Sequence, residues 1–262
     1  MLHLHHLVAA VAVFFALPTA ARAADHAPLD TLLARYVVVS ADGVNRVRYG
    51  AWRAAAADRA ALDAYVAALE RERPSRLPRD EAFAYWANLY NAVTLQIVLE
   101  NYPVRSIRDI RSRTLDPRGL IGPWRSPRVT VEGARLTLDQ IEHSILRPNF
   151  SDPRVHYAVN CASIGCPNLQ PRAWRASSLD ADLDAAARAY INHPRGATID
   201  AQGRLRVSSI YTWFANDFGG SPRGVLTHLR TYADAPLAAR LGTVTTIAGH
   251  GYDWTLNDAV SR

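Results

Sequence analysis

Apolar residues recur at the three- and four-residue spacing of amphipathic helices over much of the chain. The clearest example is residues 79–101, a stretch that Pro103 then closes. The same spacing predicts helices over residues 28–37, 52–72 and 179–193. A capping box, in which Thr137 precedes Gln140 by three residues, opens a further helix that is predicted to end near Arg147. Two or three short helices are expected between residues 210 and 241.

Alternating strand patterns are few and short. Two hairpins are expected, one joining residues 128–132 to 135–138 and one joining 198–200 to 204–208. Residues 44–49 and 243–248 are predicted to be single short strands, and the arginine- and proline-rich residues 105–127 a long structured loop. The pattern contains neither a repeat nor a linker. It therefore predicts an α+β fold, a mainly helical single domain with a few short antiparallel strands and hairpins.

The first 23 residues have the pattern of a secretory signal peptide. An unbroken apolar run at 7–17 is followed by Pro18 and by the small-x-small sequence Ala21-Arg22-Ala23. Histidines 3, 5 and 6 stand where lysine or arginine is usual, and an uncleaved anchor is the alternative. We expect a globular domain over residues 24–262, periplasmic or secreted, with no stable membrane insertion once the signal is removed.

Composition excludes several classes of chemistry. The chain has no lysine, so its 30 basic residues are all arginine. Phosphate-binding loops that require lysine, pyridoxal Schiff bases and lysine general bases are therefore excluded. The formal charge of +6 is spread along the chain rather than blocked, which argues against nucleic-acid binding. No cofactor is indicated, and the expected partner is an unknown small molecule, protein or peptide.

The two cysteines of the chain, Cys161 and Cys166, lie where an apolar run opens onto a Ser-, Gly- and Pro-rich loop, and His156 stands five residues before Cys161. Three interpretations remain open. In an oxidising compartment the pair could form a structural disulfide, which would stabilise the fold by roughly 2 kcal/mol. One cysteine could be a nucleophile activated by histidine. His156 and both thiols could instead bind a metal, although their spacings differ from those of common zinc sites.

A histidine partner for a nucleophilic cysteine could come from His156 or from His250, which lies between glycines after a predicted strand, with Asp253 nearby. This Cys…His…Asp order occurs in papain-like and transglutaminase-like enzymes. Other polar residues are candidates for a pocket or a supporting role: Asn88, Asn91, Glu142, His143, Arg147, Asn160, Asp217 and Asp253. Asparagine is a poor helix former, so Asn88 and Asn91 inside the predicted helix 79–101 satisfy loop backbone or line a pocket.

Four co-linear blocks, residues 82–92, 138–147, 152–167 and 210–218, resemble the domain-of-unknown-function 547 family. The resemblance covers about residues 75–235. By position it implies family roles for Asn91, Glu142, Arg147, His156, Cys161, Cys166 and the pair Asp217-Phe218. It implies no established reaction, but it favours the cysteine loop as the site.

These observations lead to one functional hypothesis and one alternative. The hypothesis is a thiol-dependent hydrolase or transferase centred on His156, Cys161 and Cys166. The alternative is a non-enzymatic periplasmic binding or scaffolding domain with a Cys161–Cys166 disulfide.

Overall fold

The structure is a computed structural model that describes residues 24–110 and 122–259. The predicted signal peptide lies outside the described residues, as do positions 111–121 of the predicted loop 105–127. The described parts of that loop contain two 3₁₀ turns, Ile107–Asp109 and Gly122–Arg125.

The chain begins with helices α1 (Ala27–Tyr36), α2 (Tyr49–Ala54) and α3 (Ala56–Glu70). The predicted helix 28–37 is confirmed, whereas the predicted helix 52–72 is divided at Ala55, whose backbone is extended. Packing explains the division, because Trp52 of α2 is fully buried and stacks on Tyr36 of α1 at a ring distance of 4.5 Å. The chain between α1 and α2 forms a small antiparallel pair, β1 (Val37–Val38) with β2 (Arg46–Val47), shorter than the predicted strand 44–49.

Helix α4 (Arg79–Asn101) has the predicted bounds and lies at the centre of the protein. Its residues 83–99 are buried on every face except at Gln96, so this helix is enclosed by other elements rather than amphipathic. The polar residues Asn88, Asn91 and Thr94 on it are buried as well and must find partners inside the protein.

The predicted hairpin after the loop is confirmed as β3 (Val129–Val131) and β4 (Ala134–Leu136). The capping box at Thr137 and Gln140 is also formed, and it opens α5 (Leu138–Gln140). From there the chain differs from the predicted α-helix, because Ile141–Leu146 is a π-helix, followed by α6 (Arg147–Phe150). The apolar run before the cysteines forms the short buried helix α7 (Val155–Ala158).

The C-terminal part contains α8 (Leu179–Ile191), the predicted hairpin β5 (Ala197–Ile199) and β6 (Leu205–Ser208), and the helices α9 (Ile210–Trp213), α10 (Pro222–Tyr232) and α11 (Ala235–Leu241). The last strand, β7 (Ile247–Gly251), starts later than the predicted strand 243–248 and pairs parallel to β6. The expectation of antiparallel strands alone is therefore wrong here. Helices α9 to α11 form the crossover that a parallel pairing requires.

Buried apolar side chains from Ala24 to Leu256 form one connected core. The predicted mainly helical α+β class is confirmed, and the strands of the described part of the chain form sheets of two or three. None of the helices within the described ranges has the length and apolar character needed to cross a membrane.

Candidate functional site

Two buried asparagines position the loop that carries the cysteines. The Asn91 amide on α4 donates to the Ala158 carbonyl at 2.9 Å and accepts the Asn160 backbone N–H at 2.8 Å. Asn160 in turn closes the loop, because its side chain accepts the Ala162 N–H and donates to the Pro167 carbonyl at 2.7 Å. Asn91 and Asn160 therefore hold the loop backbone from inside the core, which is the reason for a polar residue in the middle of α4.

The loop turns sharply at Ala162, whose φ of +58° is in the left-handed region that non-glycine residues seldom adopt. Ala162 is also fully buried. Such strained backbone persists only where surrounding contacts enforce it, and it concentrates at functional sites. Here the turn aims the Cys161 N–H at the Cys166 sulfur, with 3.0 Å between N and Sγ.

The two sulfurs face each other at 3.0 Å. A disulfide bond would require about 2.0 Å, so the structure contains two free thiols and the disulfide considered from the sequence is not formed. The Cys161 sulfur also contacts the hydroxyls of Tyr252 at 3.0 Å and Ser163 at 3.3 Å. Ser163 can donate to the Tyr252 oxygen at 3.0 Å, which leaves the Tyr252 O–H free to donate to the sulfur.

These contacts make the two thiols unequal. Hydrogen bonds from Cys166 first, and then from Ser163 and Tyr252, stabilise a Cys161 thiolate and lower the pKa of Cys161 against the opposing effect of burial. Burial instead raises the pKa of Cys166 well above its ordinary value. Cys161 is partly exposed whereas Cys166 is buried. The pair therefore consists of one accessible, acidic thiol and one protected thiol that keeps its proton.

The chain segment after β7 holds Tyr252 against this loop. Gly165 N–H donates to the Asp253 carbonyl and Ile164 N–H to the Thr255 carbonyl, each at 2.8 Å. A Cβ atom at Gly165 would lie 2.7 Å from the Asp253 nitrogen, so the approach is possible only for glycine. Tyr252 reaches Cys161 because of this close backbone contact, although 91 positions separate the two residues in sequence.

The π-helix arranges the acidic and basic residues beside the thiols. A π-helix is bonded between residues five apart, and the Arg147 N–H donates to the Glu142 carbonyl in this way. Residues 142 and 147, which do not share a face in an α-helix, are thereby brought to one side. Single π-turns occur frequently at functional sites.

Arg147 and His156 both bind Asp217. Arg147 donates from Nε at 2.6 Å and from a terminal nitrogen at 3.0 Å, and His156 Nε2 donates to the same carboxylate at 2.7 Å. These hydrogen bonds, His156 first, hold the pKa of Asp217 well below its ordinary value. Burial lowers the pKa of His156, which also stacks on Phe214 at 4.2 Å. Because Nε2 donates to Asp217, the neutral ring turns its Nδ1 lone pair toward Glu142 Oε1, 3.8 Å away.

Glu142 is a buried carboxyl that holds its proton more tightly than an ordinary glutamate does. Burial raises the pKa of Glu142 and outweighs the hydrogen bond from Tyr90 and the nearby Arg147. His143 lies on the other side, with Nδ1 at 4.0 Å from Glu142 Oε1. The Arg147 guanidinium donates to that same Nδ1 at 3.1 Å, which fixes the His143 proton on Nε2.

One cavity of about 230 Å³ joins the thiols to these groups. Cys161 and Cys166 lie in its wall together with Glu142, His143 and His156. The remaining wall is largely aromatic, contributed by Tyr90, Trp124, Trp213, Phe214, Tyr252 and Trp254. A carboxyl with a raised pKa and a thiol with a lowered pKa thus face the same cavity.

The other predicted site residues lie outside this wall. His250 is exposed on β7 and bonds the Ser209 hydroxyl at 2.9 Å, and the Asp253 carboxylate accepts the Thr255 N–H. Asn88 bonds the backbone of Trp174, and Arg147, Asp217, Asn91 and Asn160 support the wall from behind. The sequence reasoning missed Tyr252, Tyr90 and the tryptophans. The only signal for Tyr252 was its place two residues after His250.

Neither sulfur is bonded to a histidine in residues 24–110 and 122–259. His156 and His143 share the cavity with Cys161, but Asp217 and Arg147 are their partners. Over the same ranges, no group of three or more His, Cys, Asp or Glu residues is placed to hold a metal ion.

Comparison with known proteins gives a match to a family but not to an individual protein. No curated protein and no solved structure matches the chain significantly. The family model described as "Protein of unknown function, DUF547" matches residues 74–191, which include α4, the π-helix and both cysteines. The block at residues 210–218, and with it Asp217, lies outside the match. The resemblance to the DUF547 family is therefore confirmed over residues 74–191, somewhat less than half of the chain.

Proposed function

We propose that the protein is a thiol-dependent enzyme that catalyses thiol–disulfide exchange, with Cys161 as the attacking thiol and Cys166 as the resolving thiol. The observation that carries the proposal is the inequality of two sulfurs 3.0 Å apart in the wall of one cavity. The attacking thiol of an exchange must be accessible and readily ionised. Cys161 has both properties, and Cys166 has neither.

The reaction has two steps. The Cys161 thiolate attacks one sulfur of a substrate disulfide, a bond forms between Cys161 and that sulfur, and the other substrate sulfur leaves as a thiolate. Cys166 then gives its proton to this first leaving thiolate and, as a thiolate, attacks the Cys161 sulfur. The second substrate sulfur leaves as a thiolate and takes from solvent the proton that Cys161 released when it ionised. The substrate disulfide is reduced to two thiols while the protein dithiol is oxidised to a disulfide. An external thiol reductant regenerates the dithiol.

A proton donor in the cavity favours a second candidate, the thiol-dependent hydrolase or transferase expected from the sequence. The Glu142 carboxyl, whose pKa burial raises, could protonate a leaving group after attack by Cys161. A hydrolase of the cysteine–histidine type, however, needs an imidazole on the sulfur, and the histidines of this cavity are bonded elsewhere. The two candidates differ at Cys166, which only the exchange reaction requires.

We also propose export to the periplasm or beyond, with cleavage after Ala23. The apolar run at residues 7–17 and the small residues at 21 and 23 support this location.

The test uses the reduced full chain and two reagents. Iodoacetamide should label Cys161 before Cys166, with a rate that titrates below about 8.5, the value of an ordinary thiol. Oxidised glutathione should convert the protein to a form two hydrogens lighter. Cys166→Ser should instead stop at a stable glutathione adduct on Cys161, and Cys161→Ser should form neither product.

Tyr252→Phe removes one donor to the thiolate and should raise the pKa of Cys161 by about one unit, since a hydrogen bond to a charged group contributes about 1.5–3 kcal/mol. Tyr102→Phe is the matched control, because Tyr102 is also partly buried but its hydroxyl bonds Asp258. Equal labelling of both cysteines at an ordinary thiol pKa would overturn the proposal. A disulfide that persists in the native protein under thiol reductants would instead favour the non-enzymatic scaffold.

A further inference from the structure

We infer that the cavity beside Cys161 binds a small, uncharged substrate with an aromatic ring, which places the ring against Trp213, Tyr252 and Trp254. This inference rests on the proposed function, since it names the class of disulfide on which Cys161 acts. It is carried by the aromatic wall of the cavity and by the pairing of the charges around it.

The aromatic wall begins at the reactive sulfur. The Tyr252 hydroxyl is 3.0 Å from Cys161 Sγ, and the ring of the same residue lies 4.9 Å from Trp213 and 4.7 Å from Trp254. Trp213 and Trp254 are stacked at 5.7 Å, and Trp124 adds an edge contact to Trp254 at 5.9 Å. A group attached to the sulfur that Cys161 attacks would therefore meet aromatic faces and edges.

Trp213 is left open to solvent. Its side chain is 47% exposed, and it is one of two large apolar residues with such exposure in the described part of the chain. Neighbouring Phe214 is covered instead by stacking on His156. Tryptophan combines a large apolar area with few rotatable bonds, so an exposed one at a cavity is suited to bind another ring.

Two arginines at the wall, Arg147 and Arg125, already have carboxylate partners. Asp217 neutralises Arg147 through two hydrogen bonds, and Asp139 lies 3.7 Å from His143 and 4.0 Å from Arg125. Burial raises the pKa of Glu142 above its ordinary value. An ionic substrate would have to compete with these partners and would lose its hydration on entry.

The size of the cavity limits the substrate. Its volume of about 230 Å³ exceeds the roughly 150 Å³ cavity known to bind benzene, but falls below the usual range for drug-sized ligands. One ring with a short arm to the sulfur fits this space. A small aryl or benzyl disulfide is therefore the substrate class that we infer.

The test compares methanethiosulfonate reagents on the full chain carrying Cys166→Ser. Each reagent transfers its thioalkyl group to the Cys161 thiolate and releases the same methanesulfinate, so all of them have a common leaving group. The benzyl, cyclohexylmethyl and methyl reagents differ only in the transferred group. The measured quantity is the benzyl-to-methyl rate ratio on Cys161 divided by the same ratio on N-acetylcysteine, which cancels the ionisation of the thiol.

The normalised ratio should be about tenfold, and the cyclohexylmethyl reagent should show a smaller gain. Trp213→Ala should bring the ratio close to one, while Trp213→Phe should retain most of it. Val39→Ala, at the other highly exposed apolar side chain, should change nothing because Val39 is not part of this wall. A normalised ratio near one in the Cys166→Ser protein, or an equal ratio for the benzyl and cyclohexylmethyl reagents, would overturn the inference. If Cys161 still reacted rapidly with all reagents in that case, the exchange proposal would stand. Slow reaction with every reagent would count against the proposed function itself.

Discussion

Substitution of Asp217 tests the arrangement of the site directly, because this one side chain bonds both Arg147 and His156. Asp217→Asn keeps the shape of the residue but removes its charge. The change replaces a two-pronged ion pair by at most one neutral hydrogen bond, and it leaves the Arg147 guanidinium without its anion. It also weakens the bond at 2.7 Å that fixes the tautomer of His156.

The magnitude follows from burial. Breaking a fully buried ion pair by removing one partner costs about 3–5 kcal/mol, whereas an exposed pair contributes about 0–1 kcal/mol. The side chains of Arg147 and Asp217 retain 24% and 22% exposure, so the effect should lie between these limits. With His156 buried behind the pair, we expect Asp217→Asn to lower the free energy of unfolding by about 2–3 kcal/mol, or the melting temperature by about 5–10 °C.

The assay is thermal and denaturant unfolding of the two proteins over a pH series. The folded pKa of Asp217 lies below its ordinary value of 3.8, so its stabilisation is complete above that pH and is lost as pH falls through the folded pKa. The difference in the free energy of unfolding between wild type and Asp217→Asn should therefore be constant near neutral pH and should become smaller below about pH 4. Glu100→Gln is the control, because Glu100 forms one exposed ion pair with Arg128 at 2.7 Å and should change stability by less than about 1 kcal/mol. Two results would refute this reasoning. One is a loss of unfolding free energy in Asp217→Asn as small as that in Glu100→Gln, and the other is a loss that stays the same below about pH 4.

Three further predictions concern Glu142, Asn91 and the N-terminus. Because the folded pKa of Glu142 is raised, its contribution to stability is complete below the ordinary value of 4.5 and is lost as pH rises through the folded pKa. Glu142→Gln should therefore reduce the dependence of the melting temperature on pH and should melt at a higher temperature than wild type at pH 8. A lower melting temperature than wild type at pH 8 would show that Glu142 is a paired carboxylate instead. Asn91→Leu should lower the free energy of unfolding by about 3 kcal/mol in denaturant titrations, because the Asn160 N–H and the Ala158 carbonyl lose their partner, and an unchanged midpoint would contradict that role. N-terminal sequencing of protein from a periplasmic fraction should begin at Ala24, whereas full-length chain in the membrane pellet would indicate an anchor.

Elements whose signals are local could be predicted from the sequence. Helix α4 has the expected bounds because its apolar spacing is long and prolines flank it, and the capping box at Thr137 fixed the start of the next helix. The division of α2 from α3 could not be predicted, since alanines run through the boundary without a helix breaker. What separates the two helices is the stacking of Trp52 on Tyr36, which is a tertiary contact.

The site could be predicted only in part, because residue types are visible in the sequence whereas tertiary contacts are not. Cysteines, histidines and Glu142 stand out by residue type, and the structure brings Cys161, Cys166, Glu142, His143 and His156 to one cavity. The π-helix leaves no distinct pattern in residues 141–146. The sequence therefore did not indicate that Glu142 and Arg147 lie on the same side of this helix. Asp217 lies 70 residues from Arg147 and Tyr252 lies 91 residues from Cys161, and neither pairing follows from spacing.

The inequality of the two thiols is a property of the loop rather than of the cysteines. Asn91 and Asn160 hold the loop backbone on the core side. Gly165 permits the close approach of the segment that carries Tyr252, so both sets of contacts hold the same short stretch of chain. Since the hydroxyls of Ser163 and Tyr252 already lie beside the Cys161 sulfur, ionisation of Cys161 requires little rearrangement of its surroundings. A donor set that is already in place stabilises charge without first reorienting, which is why such sites lower the energy of a developing anion more effectively than water does. The core asparagines, which do not line the cavity, are on this argument part of what would make Cys161 reactive in the proposed exchange.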